Sequence, residues 1–225
     1  TVTDTSAYIA RVAFYEEIVG TRDSISALLI SHTISADENK VYDLFRALSD
    51  SPDYEVTGYF GSSREGCTQS TSPPVTEYLD KNLIIFADHG SYNAWSDTLA
   101  SWDIPDVDSL PVVFADACLT NNFWQGGVDT MGPNWIRHGA IAYFGAVGVS
   151  QVPDCLSGYS YTCNPNRFMS RIASGRSLGE TSNMIVYCVG TCCGGLGYCW
   201  LDDCSYRDHY ILLGDPCLVV GYPAP

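Results

Sequence analysis

FADHGSYNAWSDT (Phe86–Thr98) and PVVFADACLTNNF (Pro111–Phe123) decide the fold of this 225-residue chain. Each half opens on a short apolar run, Leu83, Ile84, Ile85 and Phe86 in the first and Val112, Val113 and Phe114 in the second. Runs of this composition, with no polar alternation, read as strands buried on both faces of a parallel sheet. Each run ends at a reactive side chain, His89 after the first and Cys118 after the second. The intervening length suits one crossover and exceeds a hairpin. If the strands are parallel neighbours, the imidazole and the thiol emerge together at the carboxyl edge, where open α/β sheets place their chemistry.

A thiolate attacks carbonyl carbon far better than a thiol, and a neighbouring imidazole stabilises it and can later protonate a leaving amine. Gly90 offers a backbone amide unhindered by a Cβ beside His89, suited to a developing oxyanion. Taken singly, a satisfied surface histidine and an inert buried cysteine are the ordinary readings. The matched placement of the two at consecutive strand ends favours a catalytic pair instead.

Outward from this stretch, Ser6–Val19 carries an apolar stripe (Ile9, Val12, Ala13, Phe14, Ile18, Val19) that predicts a helix ended by Gly20. Ala27–Ser31 (ALLIS) reads as the first strand, and SADEN after it can cap a helix with Val41, Leu44, Phe45 and Leu48 on one face. Tyr54–Phe60 reads as a strand nearer the edge, Gly61–Pro74 as a surface loop, and Val75 as the start of a short helix. Leu99–Leu110 reads as a loop with at most one helical turn; helical stretches follow Cys118 and run from Asp129 to His138, and Gly139–Val147 is a further strand. Val149–Asn166 is irregular and follows a strand end, so it can wall the site. Phe168–Val189 has helical spacing, and Cys192–Cys204 is a Gly/Cys loop that needs covalent staples to hold one conformation. Strands alternating with helices predict an α/β three-layer sandwich with a mainly parallel central sheet flanked by helices. One domain is expected over residues 1–225, with 1–26 as an amino-terminal helix and linker, since 46% hydrophobic content suffices for one sizeable core.

With 26 acidic and 11 basic residues the net charge is −15, which argues against a nucleic-acid partner and an anionic membrane surface and favours basic peptides. The carboxylates can also serve a structural calcium ion; no cofactor is required by the chemistry above. No apolar run reaches the ~20 residues of a membrane span. Ten cysteines exceed what a reducing cytosol usually tolerates, and seven of them fall from Cys155 to Cys204, with Cys217 nearby. Their spacings are irregular, so disulfides are favoured over a zinc site, which implies an oxidising compartment, secreted or at the cell surface. The chain starts at Thr1 without a methionine, and processing or a deliberately chosen boundary is expected to account for that start.

These residues also carry a family resemblance. HGSYNAWSD (His89–Asp97) and DACLTNNF (Asp116–Phe123) resemble the two catalytic segments of the gingipain family of cysteine endopeptidases, whose fold is caspase-like. GAIAYFGA (Gly139–Ala146) resembles the strand that follows the nucleophile, and YILLGDPCLVV (Tyr210–Val220) the closing segment of the catalytic domain. The four occur in the family's order. The resemblance implies Cys118 as nucleophile and His89 as acid/base, in agreement with the reading of the residues themselves. Some relatives orient the histidine with a carboxylate from the loop after the first strand, where this chain offers His32, Asp37 and Glu38. Larger relatives carry a further amino-terminal subdomain, so activity can require a segment that has been removed.

Relatives that cut after Arg or Lys place an acid at the floor of the primary pocket, because a buried cation needs a compensating carboxylate. Asp154 on the loop after Gly139–Val147, then Asp43 on the helix after the first strand, are the candidates here; Trp95, close behind His89, is the aromatic candidate for the cleft. Trp124 and Trp135 are expected in core or cleft, and His138 and His209 in structural roles. The leading expectation is a monomeric, secreted cysteine endopeptidase acting on peptide or protein substrates, cutting after a basic residue. A catalytically inactive binding module and a thiol acyl transferase or transpeptidase are the alternatives, separated from it by an activity assay and by product analysis with an added amine.

Overall fold

Short apolar strands alternate with amphipathic helices along nearly the whole chain, and the pattern folds into layers. A computed structural model describes residues 2–19, 23–31, 35–149, 165–188 and 210–222. The chain opens with α1 (Val2–Ala13) and α2 (Tyr15–Val19), then β1 (Ile25–Ser31), α3 (Ser35–Ser49), β2 (Tyr54–Phe60) and the two-residue β3 (Thr68–Gln69). A 3₁₀ turn at Val75–Tyr78 leads to β4 (Leu83–Ala87), a small hairpin of β5 (Ala94–Trp95) and β6 (Leu99–Ala100), and a second 3₁₀ turn at Ser101–Asp103. Then come β7 (Val112–Asp116), α4 (Phe123–Gly126), α5 (Met131–Arg137), β8 (Ala142–Ala146), α6 (Pro165–Ala173), α7 (Leu178–Cys188) and β9 (Tyr210–Gly214).

Seven strands form one sheet in the order β3-β2-β1-β4-β7-β8-β9. Every pairing is parallel except the last, where β9 runs antiparallel to β8. Strand alternation divides the apolar residues between two cores. Leu83, Ile85, Val112 and Phe114 join Val41, Leu44, Phe45 and Leu48 of α3 and Phe168, Met169 and Ile172 of α6 on one face. Ile84, Phe86 and Val113 meet Trp95, Tyr78, Trp135 and Tyr143 on the other. The expected α/β sandwich and its mainly parallel sheet are therefore present, and all four predicted apolar positions of α3 are buried.

The amino-terminal helix departs from expectation. It breaks at Phe14 into α1 and α2, and the predicted stripe is largely on the outside, with Ile9 60% and Phe14 52% exposed. Tyr15 and Val19 of α2 are the buried anchors. Helix α1 docks by polar contacts: the Tyr8 hydroxyl donates to Ile141 O (3.2 Å) and Arg11 Nη2 donates to Ile136 O (2.8 Å). The loop Gly61–Pro74 also contributes more than expected, since β3 extends the sheet by one strand.

Candidate active site

The ladder between β4 and β7 sets the site. Ala87 is the register partner of Asp116, and the Asp88 amide carries the pairing on by donating to Asp116 O (3.2 Å). His89 and Cys118 each lie two residues beyond the Ala87–Asp116 pair, on adjacent strands spaced ~4.8 Å apart. His89 is exposed and Cys118 partly exposed, so both face solvent at the carboxyl edge.

Gly90 packs directly on the cysteine turn. A Cβ added there would stand 2.9 Å from Cys118 O, from Ala117 Cβ and from Thr120 Cγ2, contacts too close for any side chain. The two loops are thus pressed together at Gly90, whose amide donates to no group among the described residues.

Beyond the cysteine the backbone turns sharply. Leu119 adopts φ = 62°, a left-handed conformation that costs a residue with a Cβ about 1–2 kcal/mol. Its amide donates to Gly148 O (2.8 Å), the Asn121 amide to Ala146 O (2.7 Å) and the Asn122 amide back to Leu119 O (2.8 Å). Asn122 then caps α4, its Oδ1 accepting from the Gln125 amide (3.1 Å). Upstream, the Asp116 carboxylate accepts from the Tyr210 hydroxyl of β9 (2.6 Å). Sequence reading did not single out Asn121 or Tyr210; a tandem Asn pair just after a strand-end cysteine was the available signal.

The other expected site residues scatter. Glu38 is buried, and its Oε1 accepts from Arg64 Nε (3.0 Å) and from the Ser62 hydroxyl, so it is committed away from the histidine. His32 and the Asp37 side chain lie outside the described residues, as do Asp154 and His209. No hydrogen bond to the His89 ring occurs among the described residues. Asp43 is exposed on α3, so it offers no buried counter-charge for a guanidinium and does not fit the pocket floor expected of it. Trp95 is corrected likewise: it is wholly buried, stacked on Phe86 at 4.7 Å and Trp135 at 5.6 Å, with Nε1 donating to the Tyr143 hydroxyl (3.2 Å). Hairpin β5–β6 turns it into the core, out of reach of the cleft. Trp135 is core too, whereas Trp124 on α4 is 83% exposed. His138 pairs with Asp106 (2.8 Å) at the end of α5.

Among the described residues Cys67 and Cys217 form no disulfide. Burial pushes the Cys67 thiol up to about 11, with Arg64 pulling weakly the other way. The remaining candidates for pairing, Cys155, Cys163, Cys192, Cys193, Cys199, Cys204 and the Cys188 side chain, lie outside the described residues. Among the described residues no three His, Cys, Asp or Glu side chains gather as metal ligands, and no helix is long and apolar enough to cross a membrane.

A solved structure described as "Structure of Protease" is similar in fold, with TM-score 0.62 at 15% identity, over 96% of this chain and 53% of that one. The chain thus spans about half the length of that protein. No curated protein matches by sequence. The model of peptidase family C25 matches residues 1–221. With nearly its whole length matched and its layered, mainly parallel sheet in place, the chain belongs to peptidase family C25, the gingipain family of cysteine peptidases.

Proposed function

We propose that this chain is a secreted cysteine endopeptidase that hydrolyses peptide bonds with Cys118 as nucleophile and His89 as its acid/base, cutting after Arg or Lys. One observation carries the reading: His89 and Cys118 stand at matched positions past one register pair of neighbouring parallel strands, with Gly90 wedged on the cysteine backbone. In the mechanism, the Cys118 thiolate adds to the scissile carbonyl and the oxyanion takes a hydrogen bond from the Gly90 amide. The His89 imidazolium gives its proton to the leaving amine as the carbon–nitrogen bond breaks, leaving an acyl-enzyme. Neutral His89 then takes a proton from water, which attacks the thioester and releases the acid product and the thiolate. A thiolate–imidazolium pair can run this cycle without a third residue.

For the residue before the scissile bond, Asp154 is the proposed counter-charge, supported by its place in the sequence shortly after β8. Cys118→Ala should abolish hydrolysis of a peptide library while leaving the fold intact, and His89→Ala should do nearly the same; parent-like turnover by Cys118→Ala would remove the mechanism. Matched fluorogenic peptides ending in Arg, Lys, Asp, Leu and Ala test the pocket, and cleavage of the Asp or Leu peptide ahead of both basic ones overturns the assignment. Secretion is supported by the cysteine content. Thiol counting under denaturing conditions tests it, with at least three disulfides expected and eight or more free thiols decisive against them.

A further inference from the structure

We propose that Asn121 is the positioning residue that fixes the Cys118 turn, and that Gly132 is glycine in order to admit it; this rests on the reading of Cys118 as the nucleophile. Asn121 is wholly buried three residues beyond Cys118. Its Nδ2 donates to Gly145 O (3.1 Å) and to Ile211 O (3.2 Å). Gly145 and Ile211 are register partners in the antiparallel β8–β9 pair, so one amide ties the cysteine turn to both strands at a single level. Its backbone amide adds a third tie, to Ala146 O (2.7 Å).

Two carbonyl acceptors settle which end of the amide is the nitrogen, since an oxygen cannot donate to them. The Oδ1 is left buried, with no partner among the described residues. It lies against Gly132, where an added Cβ would stand 1.8 Å from it, while the Gly132 amide donates to Thr120 O (3.1 Å). An unpartnered buried acceptor works against stability, and an apolar side chain of similar shape would avoid it. What the amide supplies in return is hold over a strained turn. Leu119, between Cys118 and Asn121, sits in the left-handed region, a conformation that persists only where its surroundings over-determine it. Four elements meet at Asn121: the turn, β8, β9 and the first turn of α5.

The test compares the parent with Asn121→Ala, the near-isosteric Asn121→Asp, Gly132→Ala, Cys118→Ala and the remote core control Ile172→Val. Hydrolysis of one cleaved peptide gives kcat and KM. The pH profile of iodoacetamide labelling at Cys118, mapped by mass spectrometry, reports the thiolate directly, and circular dichroism gives Tm. The expected result is a kcat loss of about 10- to 100-fold in the Asn121 and Gly132 variants, with KM within about twofold, because small displacements of reacting groups act mainly on the chemical step. The labelling midpoint should move towards that of an ordinary thiol in those variants and stay put in Ile172→Val, whatever its Tm. Gly132→Ala keeps both Asn121 donors and reads the same displacement should Asn121→Ala fail to fold. Parent-like kcat and labelling in the Asn121 and Gly132 variants, with Cys118→Ala inactive, overturns this inference alone. Turnover by Cys118→Ala overturns the nucleophile assignment and the inference with it.

Discussion

Cys67 and Cys118 are both partly exposed thiols, and their surroundings give them different chemistry. Cys67 lies on the β2–β3 connection, against Gly58, and desolvation holds its thiol up to about 11. At about pH 8 it is almost wholly protonated, so iodoacetamide should label Cys118 well ahead of Cys67 in the native protein. The same shift makes a stability statement. The folded value lies above that of the unfolded thiol, so the stabilisation is full below about pH 9 and is lost as pH rises towards 11. Cys67→Ser should therefore lose less stability than the parent across that window, measured as the urea midpoint against pH; identical slopes would refute the assignment. Gly90 gives a second prediction at this scale. In Gly90→Ala the new methyl meets Cys118 O, Ala117 Cβ and Thr120 Cγ2 at 2.9 Å, two of these on or beside the nucleophile's own backbone. Overpacking of this kind costs about 1–3 kcal/mol, and relief by parting the two loops would separate thiol from imidazole. A kcat loss of at least about tenfold with the fold retained is expected from steady-state kinetics.

Strands β4 and β7 were legible because a strand buried on both faces leaves an unbroken apolar run, and α3 because its four apolar residues recur at one helical period. Their ends placed His89 and Cys118 without need of any contact. The failures share a cause: in each, the partner comes from far along the chain. Helix α1 has a clear period, but its docking rests on the carbonyls of Ile136 and Ile141, which no local pattern announces. Trp95 lies close to His89 in sequence, yet its orientation is decided by Tyr143 and Trp135 across the second core. The antiparallel sense of β9 was equally hidden, since a short apolar run such as Tyr210–Leu213 reads alike in either direction. Trp95 yields the prediction at this scale. Trp95→Ala empties the centre of the stack formed with Phe86, Trp135 and Tyr143 and should cost about 3–5 kcal/mol. Trp95→Phe, which keeps most of the packing, should leave the ranking of peptide substrates unchanged. A reordered peptide profile in Trp95→Phe would return this residue to the cleft.

At the scale of the whole molecule, a net charge of −15 surrounds a site whose proposed substrates are cationic. Where those charges lie decides how far they act. Asp23, Glu55, Asp80, Asp106 and Asp108 line one hollow beside the amino-terminal ends of β1, β2, β4 and β7, opposite the edge that carries Cys118. A five-residue strand is ~17 Å long, so this group acts on an approaching peptide only from that distance or more. The Debye length is ~30 Å at 0.01 M salt and ~8 Å at 0.15 M, so the far carboxylates contribute at low ionic strength and are screened at physiological strength. Steering also ends at encounter: it raises the association rate and leaves the bound complex, and hence kcat, alone. The kcat/KM of an Arg peptide bearing extra lysines distant from the scissile bond should therefore fall severalfold between about 0.01 and 0.15 M salt and then flatten, with kcat constant. A matched peptide with serines in place of the lysines should show a shallower fall, because only the cleaved Arg remains to be steered. Stopped-flow or steady-state measurements over a salt series distinguish the outcomes. Equal slopes for the two peptides would mean that salt acts on the fold or the chemistry, and that the acidity of this chain serves something other than capture of basic substrates.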